Sequence, residues 1–350
     1  MQQWLKEVAR GKRGSKDLSY EETLSLASYI CEGKATDAQI AAYLIAERMK
    51  TESPEELLAF IQVLEQKTDK IRLKDSRLEK VIDFAGPYTG RNLFAATIPV
   101  AILLAEQEIP IFLHSSQSLP PKYGASLLEI VEQLGVKISD SADTLSRIIE
   151  TTNLGFAWTD KFCPTLGELR NIRTEIGVRT LLNTAEKLLN ITSAKSIILG
   201  AYHRTAINKI VPIFQNLSYE NIYIVQGVEG SEDLPVHRNS FIYKVIKGEM
   251  ETFIVKPEDY GLFSEEQEKV KLTASEQASK IIAILSGDDN QSLTYERNQV
   301  LFNAGIRYFL FGRCKSIEEG IYLANQQLIA KRGIEKLDIW RESSQIGLRM

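Results

Sequence analysis

The sequence predicts an α/β protein in which a small α-helical domain accompanies a larger α/β domain with a mostly parallel central sheet flanked by helices. Two patterns support this fold class. The N-terminal region carries helix starts and little strand character. From residue 78 onward, short β-branched or aromatic runs alternate with helical stretches, as in parallel strands covered by helices on both faces. A chain of 350 residues is long enough for both units.

Three capping boxes predict the helices of the N-terminal unit. In each, a Ser or Thr precedes a Glu or Gln by three residues, so that the two side chains satisfy backbone N–H groups that the helix leaves free. The pairs are Ser19 with Glu22, Thr36 with Gln39, and Ser53 with Glu56. Pro54 occupies a first helical position, where its missing N–H removes no hydrogen bond.

The α/β region predicts five strands in succession. They are Val81–Phe84, Ile109–Leu113, Gly155–Trp158, Ile197–Ala201 and Ile222–Val225. Helices are predicted between them at Val100–Glu106, Ser126–Leu134, Ala142–Glu150 and Thr205–Gln215.

Two later runs, Phe241–Lys247 and Glu251–Val255, flank Gly248 and predict a β-hairpin. The C-terminal part returns to helices at Ala274–Leu285, Gln299–Phe311 and Ser316–Lys331, the last opened by a capping box from Ser316 to Glu319.

One segment within the α/β region has no strand character. Its Arg-rich, partly apolar stretch Leu169–Thr180 predicts helix. We therefore expect the segment to join the N-terminal helices, giving a discontinuous helical domain of residues 1–72 and 164–191. The α/β domain then consists of residues 73–163 and 192–350.

Net charge, hydrophobicity and cysteine content argue against several classes of protein. The formal net charge is −4 and the pI about 5.7, unlike a typical nucleic-acid binder. No apolar run approaches the roughly 20 residues that span a bilayer, and the N-terminus lacks the apolar stretch of a signal peptide. Cys31, Cys163 and Cys314 are widely separated, which argues against a disulfide framework and a structural zinc site. We expect a cytoplasmic protein.

The segment Asp83–Asn92 lies where α/β proteins commonly bind phosphate, between a strand and a helix start. Such loops use glycine so that the backbone approaches the ligand closely. Here Pro87 removes one backbone donor and Tyr88 adds bulk. The location of this segment between a strand and a helix predicts a phosphate-binding site. Pro87 and Tyr88 predict that the site differs from an ordinary phosphate-binding loop.

Five segments, in order and at suitable separations, resemble the anthranilate phosphoribosyltransferases, a family of nucleoside-phosphorylase-like glycosyltransferases. They are Gly33–Ala46, Ile172–Thr180, Val225–Asp233, Pro257–Leu262 and Asn303–Gly305, within a likeness that runs from about Leu18 to Glu342. The resemblance implies a helical domain that forms homodimers and an α/β domain. It also implies a reaction of tryptophan biosynthesis: transfer of phosphoribose from phosphoribosyl pyrophosphate (PRPP) to the amine of anthranilate, assisted by Mg²⁺.

The same resemblance assigns roles to particular residues. Glu232 and Asp233 fall on the family's acidic pair and would bind Mg²⁺, the alternative being two solvated acids in a turn. Arg173 would hold the anthranilate carboxylate, the alternative being an interdomain salt bridge. Arg179 matches the family and is expected to be structural. The candidate substrate contacts on the PRPP side are Gly86, Gly90, Asn92, Thr97 and His114, and of the two glycines Gly90 alone stays in register with the family motif.

Several family positions differ in this chain. Thr89 replaces an aspartate that contacts ribose, and Leu113–Gln117 stands where the family has Lys-His-Gly-Asn-Arg, so two full positive charges are missing. Cys163 replaces a histidine. Thr97 keeps one hydroxyl of a Ser-Thr pair, which we expect to cap the following helix.

Two functions follow from these patterns. The favoured one is a divergent phosphoribosyltransferase that uses PRPP and an aromatic amine or a related nucleophile. The alternative is a catalytically inactive binding protein on the same scaffold, with nucleic acid as one ligand, although the acidic net charge counts against it. The candidate phosphate contacts for that ligand are Arg10, Lys12, Arg13, Lys16, Arg204 and Lys209.

Overall fold

A computed structural model describes residues 1–11, 13–246, 249–266 and 268–347. Lys12 of the basic cluster, and Lys247 and Gly248 of the hairpin, lie outside the described residues. Within the described ranges, no helix is both long enough and apolar enough to cross a membrane.

The described part of the chain contains seventeen α-helices and seven strands. The helices are α1 (Gln2–Val8), α2 (Tyr20–Cys31), α3 (Asp37–Lys50), α4 (Pro54–Gln66), α5 (Asp75–Leu78), α6 (Thr97–Glu106), α7 (Leu127–Gln133), α8 (Ala142–Thr152), α9 (Thr159–Phe162), α10 (Pro164–Glu168), α11 (Arg170–Ile176), α12 (Leu182–Ala185), α13 (Arg204–Ile210), α14 (Ala274–Leu285), α15 (Thr294–Leu310), α16 (Ile317–Ile329) and α17 (Arg332–Gly347). The strands are β1 (Ile82–Ala85), β2 (Ile111–Ser115), β3 (Leu154–Trp158), β4 (Ser196–Gly200), β5 (Asn221–Val225), β6 (Ser240–Ile246) and β7 (Glu249–Val255).

The strands form one sheet in the order β3-β2-β1-β4-β5-β6-β7. The first five strands along the chain pair in parallel, whereas β6 and β7 pair antiparallel. The predicted mostly parallel sheet and the two strands of the predicted hairpin are therefore confirmed. Strand order reverses at β1, because β2 lies on one side of it and β4 on the other, and ligands commonly bind at such a point in α/β proteins.

The helical unit begins as the sequence predicts. Ser19, Thr36 and Ser53 all form complete capping boxes at α2, α3 and α4. The Ser316 hydroxyl also caps α16, but the Glu319 carboxylate bonds the Lys315 N–H and leaves that box incomplete. Helices α11 and α12, from the strandless segment, contact α3 and α4.

The largest differences between predicted and observed helical boundaries are at α13 and α15. The helix expected at Thr205–Gln215 ends at Ile210 and continues as a 3-10 helix, Val211–Asn216, because Pro212 lacks the N–H that an α-helix needs there. The helix expected to begin at Gln299 begins at Thr294, and α17 follows α16 without having been predicted.

Candidate ligand-binding site

A cleft opens where the carboxyl ends of the central strands face the helical unit. Its cavity of about 520 Å³ is lined by Thr89 after β1, Gly200 at the end of β4, Gly230 after β5 and Arg48 from α3. The cleft therefore lies at the point where strand order reverses, and it is bounded by both parts of the fold.

The cavity wall is predominantly cationic. Arg48, Lys122, Arg179 and Lys187 line it, and Glu52 is the one acidic side chain among its described lining residues. The Arg48 guanidinium donates to the backbone carbonyl of Arg179 at 2.6 Å. Within the described ranges, the Arg179 guanidinium has no hydrogen-bond or ion-pair partner, and its burial lowers the pKa of Arg179. This wall is suited to an anion.

The loop after β1 packs closely against other segments of the chain. Gly90 adopts φ +75°, and a Cβ there would lie 2.1 Å from the Gly124 carbonyl oxygen, so that glycine is required. A Cβ on Gly86 would lie 3.4 Å from the Glu232 carboxylate. The Glu232 carboxylate therefore lies close to Gly86, whose backbone would have to bind the phosphate. The negative charge of Glu232 disfavours an anion at this position.

Tyr88 occupies the centre of this loop and is buried. Its hydroxyl contacts His114 Nδ1 and lies 2.6 Å from Thr159 Oγ1. On the other side of the imidazole, His114 Nε2 lies 3.0 Å from Asp83 Oδ1, although without the alignment of a hydrogen bond. Tyr219 donates to Asp83 Oδ2 at 2.8 Å. His114, expected on the PRPP side, therefore belongs to a buried side-chain network.

Arg91 ties the loop after β1 to the loop after β5. Its Nη2 bonds Asp233 Oδ2, and its Nε lies 3.9 Å from Glu229 Oε2. Burial disfavours the charged guanidinium, but Asp233, Glu232 and Glu229 more than offset this and keep the pKa of Arg91 above its ordinary value. Reciprocal backbone bonds with Ala125, at 2.7 and 3.0 Å, fix the Arg91 main chain.

The predicted metal ligands are buried and bonded within the chain, except for Glu232 Oε2, which is buried without a hydrogen-bond partner among the described residues. Thr97 Oγ1 lies 2.5 Å from Glu232 Oε1 and 2.9 Å from Asp233 Oδ1. Arg307 donates to the Glu232 carbonyl at 2.8 Å and lies 4.0 Å from Asp233 Oδ1. The alternative of two solvated acids in a turn is wrong, because both residues are fully buried.

Thr97 does not cap its helix. The N-cap of α6 is Ala96, and no side chain accepts a capping hydrogen bond there. The expectation of a helix cap is wrong because the Thr97 hydroxyl instead contacts the Glu232 and Asp233 carboxylates.

Asn92 contributes its main chain to a second acidic contact. The backbone N–H groups of Asn92 and Leu93 donate to Glu229 Oε2 at 2.9 and 3.0 Å, whereas Asn92 Oδ1 is buried without a hydrogen-bond partner among the described residues. Lys122 Nζ lies 3.3 Å from Glu229 Oε1. The Glu229 carboxylate thus accepts hydrogen bonds from two backbone N–H groups in the loop after β1.

Arg173 lies in a buried ion pair. Its Nη2 is 2.6 Å from Glu186 Oε2, without the alignment of a hydrogen bond. Burial raises the pKa of Glu186 despite the opposing effect of Arg173. Arg173 is not among the residues that line the cleft cavity. The geometry shows a salt bridge, as in the alternative that the sequence left open, but both partners lie in residues 164–191, so the pair is not an interdomain one by the predicted division.

The residues named for nucleic acid fall in two separate parts of the chain. Arg13 and Lys16 follow α1, and Arg10 there is paired with Glu7 at 2.5 Å. Arg204 and Lys209 belong to α13, where Lys209 Nζ lies 3.4 Å from the Glu52 carbonyl. Among the described residues, no side-chain hydrogen bond or ion pair joins the two groups, and the nucleic-acid role stays a prediction.

Sequence reasoning missed several residues at this site. Arg91, Lys122, Lys187 and Arg307 were not assigned, and Arg179 was expected only to be structural. No local sequence pattern at Gly90–Arg91 predicts the ion pair with Asp233, because Asp233 is 142 positions away from Arg91. The sequence did carry one signal, since Pro87 and Tyr88 predicted an altered loop.

Two family models match the chain. Residues 81–330 match the model described as the glycosyl transferase family a/b domain, and residues 2–68 match that family's helical bundle domain.

Named relatives and solved structures agree with these matches. The chain is 31% identical over 345 residues to an anthranilate phosphoribosyltransferase of Persephonella marina, covering 98% of this chain and 100% of the relative. It is 25% identical to the enzyme of Aquifex aeolicus, covering 97% and 98%. The structure of the Thermus thermophilus enzyme has a TM-score of 0.80 at 22% identity, covering 97% of this chain and 99% of that one. A Saccharomyces cerevisiae structure in complex with PRPP and Mg has a TM-score of 0.80 at 18% identity, covering 98% and 97%.

Removing the Tyr88 hydroxyl tests whether the loop is held by its own chain. Tyr88→Phe leaves His114 Nδ1 and Thr159 Oγ1 each with one partner fewer, and we expect the free energy of unfolding to fall by about 1–3 kcal/mol. Urea unfolding measures this. The matched control is Tyr123→Phe, whose ring is 48% exposed and whose change should stay within about 0.5 kcal/mol. Equal effects of the two substitutions would contradict the buried network.

Proposed function

This chain belongs to the anthranilate phosphoribosyltransferase family of glycosyl transferases, and we propose that it is a binding member of that family: it holds a phosphorylated ribose compound in the cleft and does not transfer phosphoribose to anthranilate. One observation carries this proposal. Three of the side chains expected to contact substrate, those of His114, Thr97 and Arg173, are held by contacts within the chain, while Arg48, Arg179 and other cations line the open cavity.

Phosphoribosyl transfer requires the pyrophosphate to be held, its charge to be neutralised and the nucleophile to be aligned. The groups expected for these tasks are occupied here. His114 contacts Tyr88, Thr97 contacts the Glu232–Asp233 pair, and Arg173 pairs with Glu186. Breaking a buried ion pair by withdrawing one partner costs about 3–5 kcal/mol. The free energy of substrate binding would have to offset the loss of more than one such buried contact.

The cleft nevertheless retains a basis for binding phosphate. The unpartnered Arg179 guanidinium presents several donors in a planar arrangement that suits a phosphate group. Arg48 and Lys122 line the same cavity. A volume of about 520 Å³ is within the range of small-molecule sites. Together these features support a phosphorylated ligand of the size of a substituted ribose.

Mg²⁺ is the cofactor expected from the family, and the yeast relative in complex with PRPP and Mg supports that expectation at the family level. The residues of this chain do not fit the ion in the arrangement described. Arg91 and Arg307 accompany Asp233, and Lys122 accompanies Glu229. Of the oxygens of these three carboxylates, Glu232 Oε2 alone is buried without a hydrogen-bond partner among the described residues. Among the described residues, no group of three or more acidic, histidine or cysteine side chains is placed to hold a metal. We therefore assign no step to a metal.

Phosphoribosyl transfer is the second candidate function. It is favoured by the 31% identity to an anthranilate phosphoribosyltransferase along nearly the whole chain. It would use PRPP and an aromatic amine or a related nucleophile, and it requires the loop after β1 to move away from Asp233 on binding substrate.

Four further predictions accompany the proposal. We propose that residues 1–72 and 164–191 form one domain, that residues 73–163 and 192–350 form the other, that the helical domain mediates a homodimer, and that the protein is cytoplasmic. Nucleic acid stays an untested alternative ligand.

Calorimetric titration of PRPP in the presence of EDTA tests metal-free binding. We expect saturable heat for wild type and an affinity about 10- to 100-fold lower for Arg179→Met, since a hydrogen bond to a charged group contributes about 1.5–3 kcal/mol. Lys34→Met is the control, because Lys34 is exposed and pairs with Glu32. Absence of heat with PRPP, ribose 5-phosphate and inorganic phosphate at millimolar concentrations would overturn the binding function.

Removing Arg91 tests whether this guanidinium is what keeps divalent cations out. In Arg91→Met, the Glu229 and Asp233 carboxylates lose their shared cation. We expect the variant to be less stable by about 3–5 kcal/mol and its Tm to rise when Mn²⁺ is added, whereas the Tm of wild type should not respond. Electron paramagnetic resonance measures bound Mn²⁺ directly.

The control for this experiment is Arg170→Met, which removes an ion pair with Asp160. It should show no response to Mn²⁺. Stoichiometric binding of Mn²⁺ to wild type in the absence of PRPP would contradict the interpretation of the acidic pair.

A further inference from the structure

Lys187 is a buried amine in the wall of the cleft that the sequence analysis did not assign. It lies in the 3-10 helix Glu186–Leu188 and is 5% exposed. Its Nζ donates to the Gly200 carbonyl at 2.8 Å. Among the described residues, no carboxylate lies within ion-pair distance of it, because the neighbouring Glu186 pairs with Arg173. A buried ammonium without a counter-ion is costly.

The charges around Lys187 favour the neutral amine. Burial lowers its pKa most, and Arg179 and Lys122 lower it further. Glu232 and Glu186 oppose this, and the resulting pKa is about 7. A substantial fraction of the amine is therefore unprotonated at neutral pH, whereas an ordinary lysine is almost fully charged. An unprotonated lysine amine in a pocket with a neighbouring cation is a nucleophile toward carbonyl compounds.

The cavity brings this amine together with anion-binding groups. Lys187, Arg179, Lys122 and Arg48 line the same space of about 520 Å³. A ligand with a phosphate at one end and a carbonyl at the other would satisfy both features, with the phosphate near Arg179 and the carbonyl near Lys187.

We propose that Lys187 forms a Schiff base with a phosphorylated aldehyde held in this cleft. This inference rests on the proposed function, and it specifies the ligand as an aldehyde. The neutral Nζ attacks the carbonyl carbon and forms a C–N bond, while the carbonyl oxygen takes up a proton. Loss of water from the resulting carbinolamine leaves a C=N bond. The step needs no oxidant or reductant, and water is the leaving group.

Pyridoxal 5′-phosphate followed by borohydride provides the test, because reduction fixes the imine as a stable amine. Full-length protein is labelled at neutral pH with limiting reagent, digested and mapped by mass spectrometry. We expect labelling of Lys187 to exceed labelling of the exposed Lys34 by roughly tenfold or more, given its much larger neutral fraction. Inorganic phosphate should protect Lys187 and leave Lys34 unchanged.

Two variants complete the experiment. Lys187→Arg keeps a cation and a donor but cannot form the imine, and it should lose the fast-labelling site while retaining the fold. Pyridoxine 5′-phosphate lacks the aldehyde and should bind to this variant and to wild type with similar affinity. Labelling of Lys187 no faster than that of Lys34 in wild type would overturn the proposal.

The failure of this inference is distinguishable from failure of the proposed function. If calorimetry detects phosphate binding and Lys187 is not labelled, the aldehyde assignment is wrong and Lys187 serves only to anchor the Gly200 carbonyl. If no phosphate compound binds, the binding function itself is wrong.

Discussion

The buried pair of Arg91 with Asp233 is the interaction on which the arrangement of the site depends. It joins the loop after β1 to the loop after β5, across the position where strand order reverses and where α/β proteins commonly bind ligands. Two buried charges are stable in such a place only when each has the other and when further hydrogen bonds support both. Here Asp233 also contacts Thr97 and the Arg91 main chain is fixed by Ala125, whereas Nε and Nη1 of Arg91 are buried without a hydrogen-bond partner among the described residues. The pair therefore holds the two loops together.

This constraint separates two regions that a phosphoribosyltransferase would use together. On one side, Arg91 and Arg307 accompany Asp233, and Lys122 accompanies Glu229, with the Glu232 carboxylate buried beside Thr97. On the other side, Arg179 and Arg48 give the cavity an excess of positive charge over Glu52, the one acidic side chain among its described lining residues. Anions are favoured in the second region, whereas the nearby carboxylates disfavour them in the first. The proposed binding function follows from this division.

Local patterns in the sequence predicted much of the fold. The capping boxes at Ser19, Thr36 and Ser53 and the five parallel strands needed only neighbouring residues and hydrophobic periodicity. The site was less accessible to such reasoning. Pro87 and Tyr88 indicated an altered loop, but the pairing of Arg91 with Asp233, or of Arg173 with Glu186, depends on how distant segments pack. A family resemblance assigns a residue by position, and it does not report which partner the side chain has acquired in this chain.

The most direct measurement of the central claim is the release of pyrophosphate from PRPP in the presence of anthranilate and Mg²⁺. If His114, Thr97 and Arg173 stay bonded within the chain, the purified chain will release no pyrophosphate above the rate in buffer, and no phosphoribosyl anthranilate will accumulate. Saturable release that depends on both anthranilate and Mg²⁺ would contradict the account, because it would require the loop after β1 to leave Asp233 and the acidic pair to accept the metal.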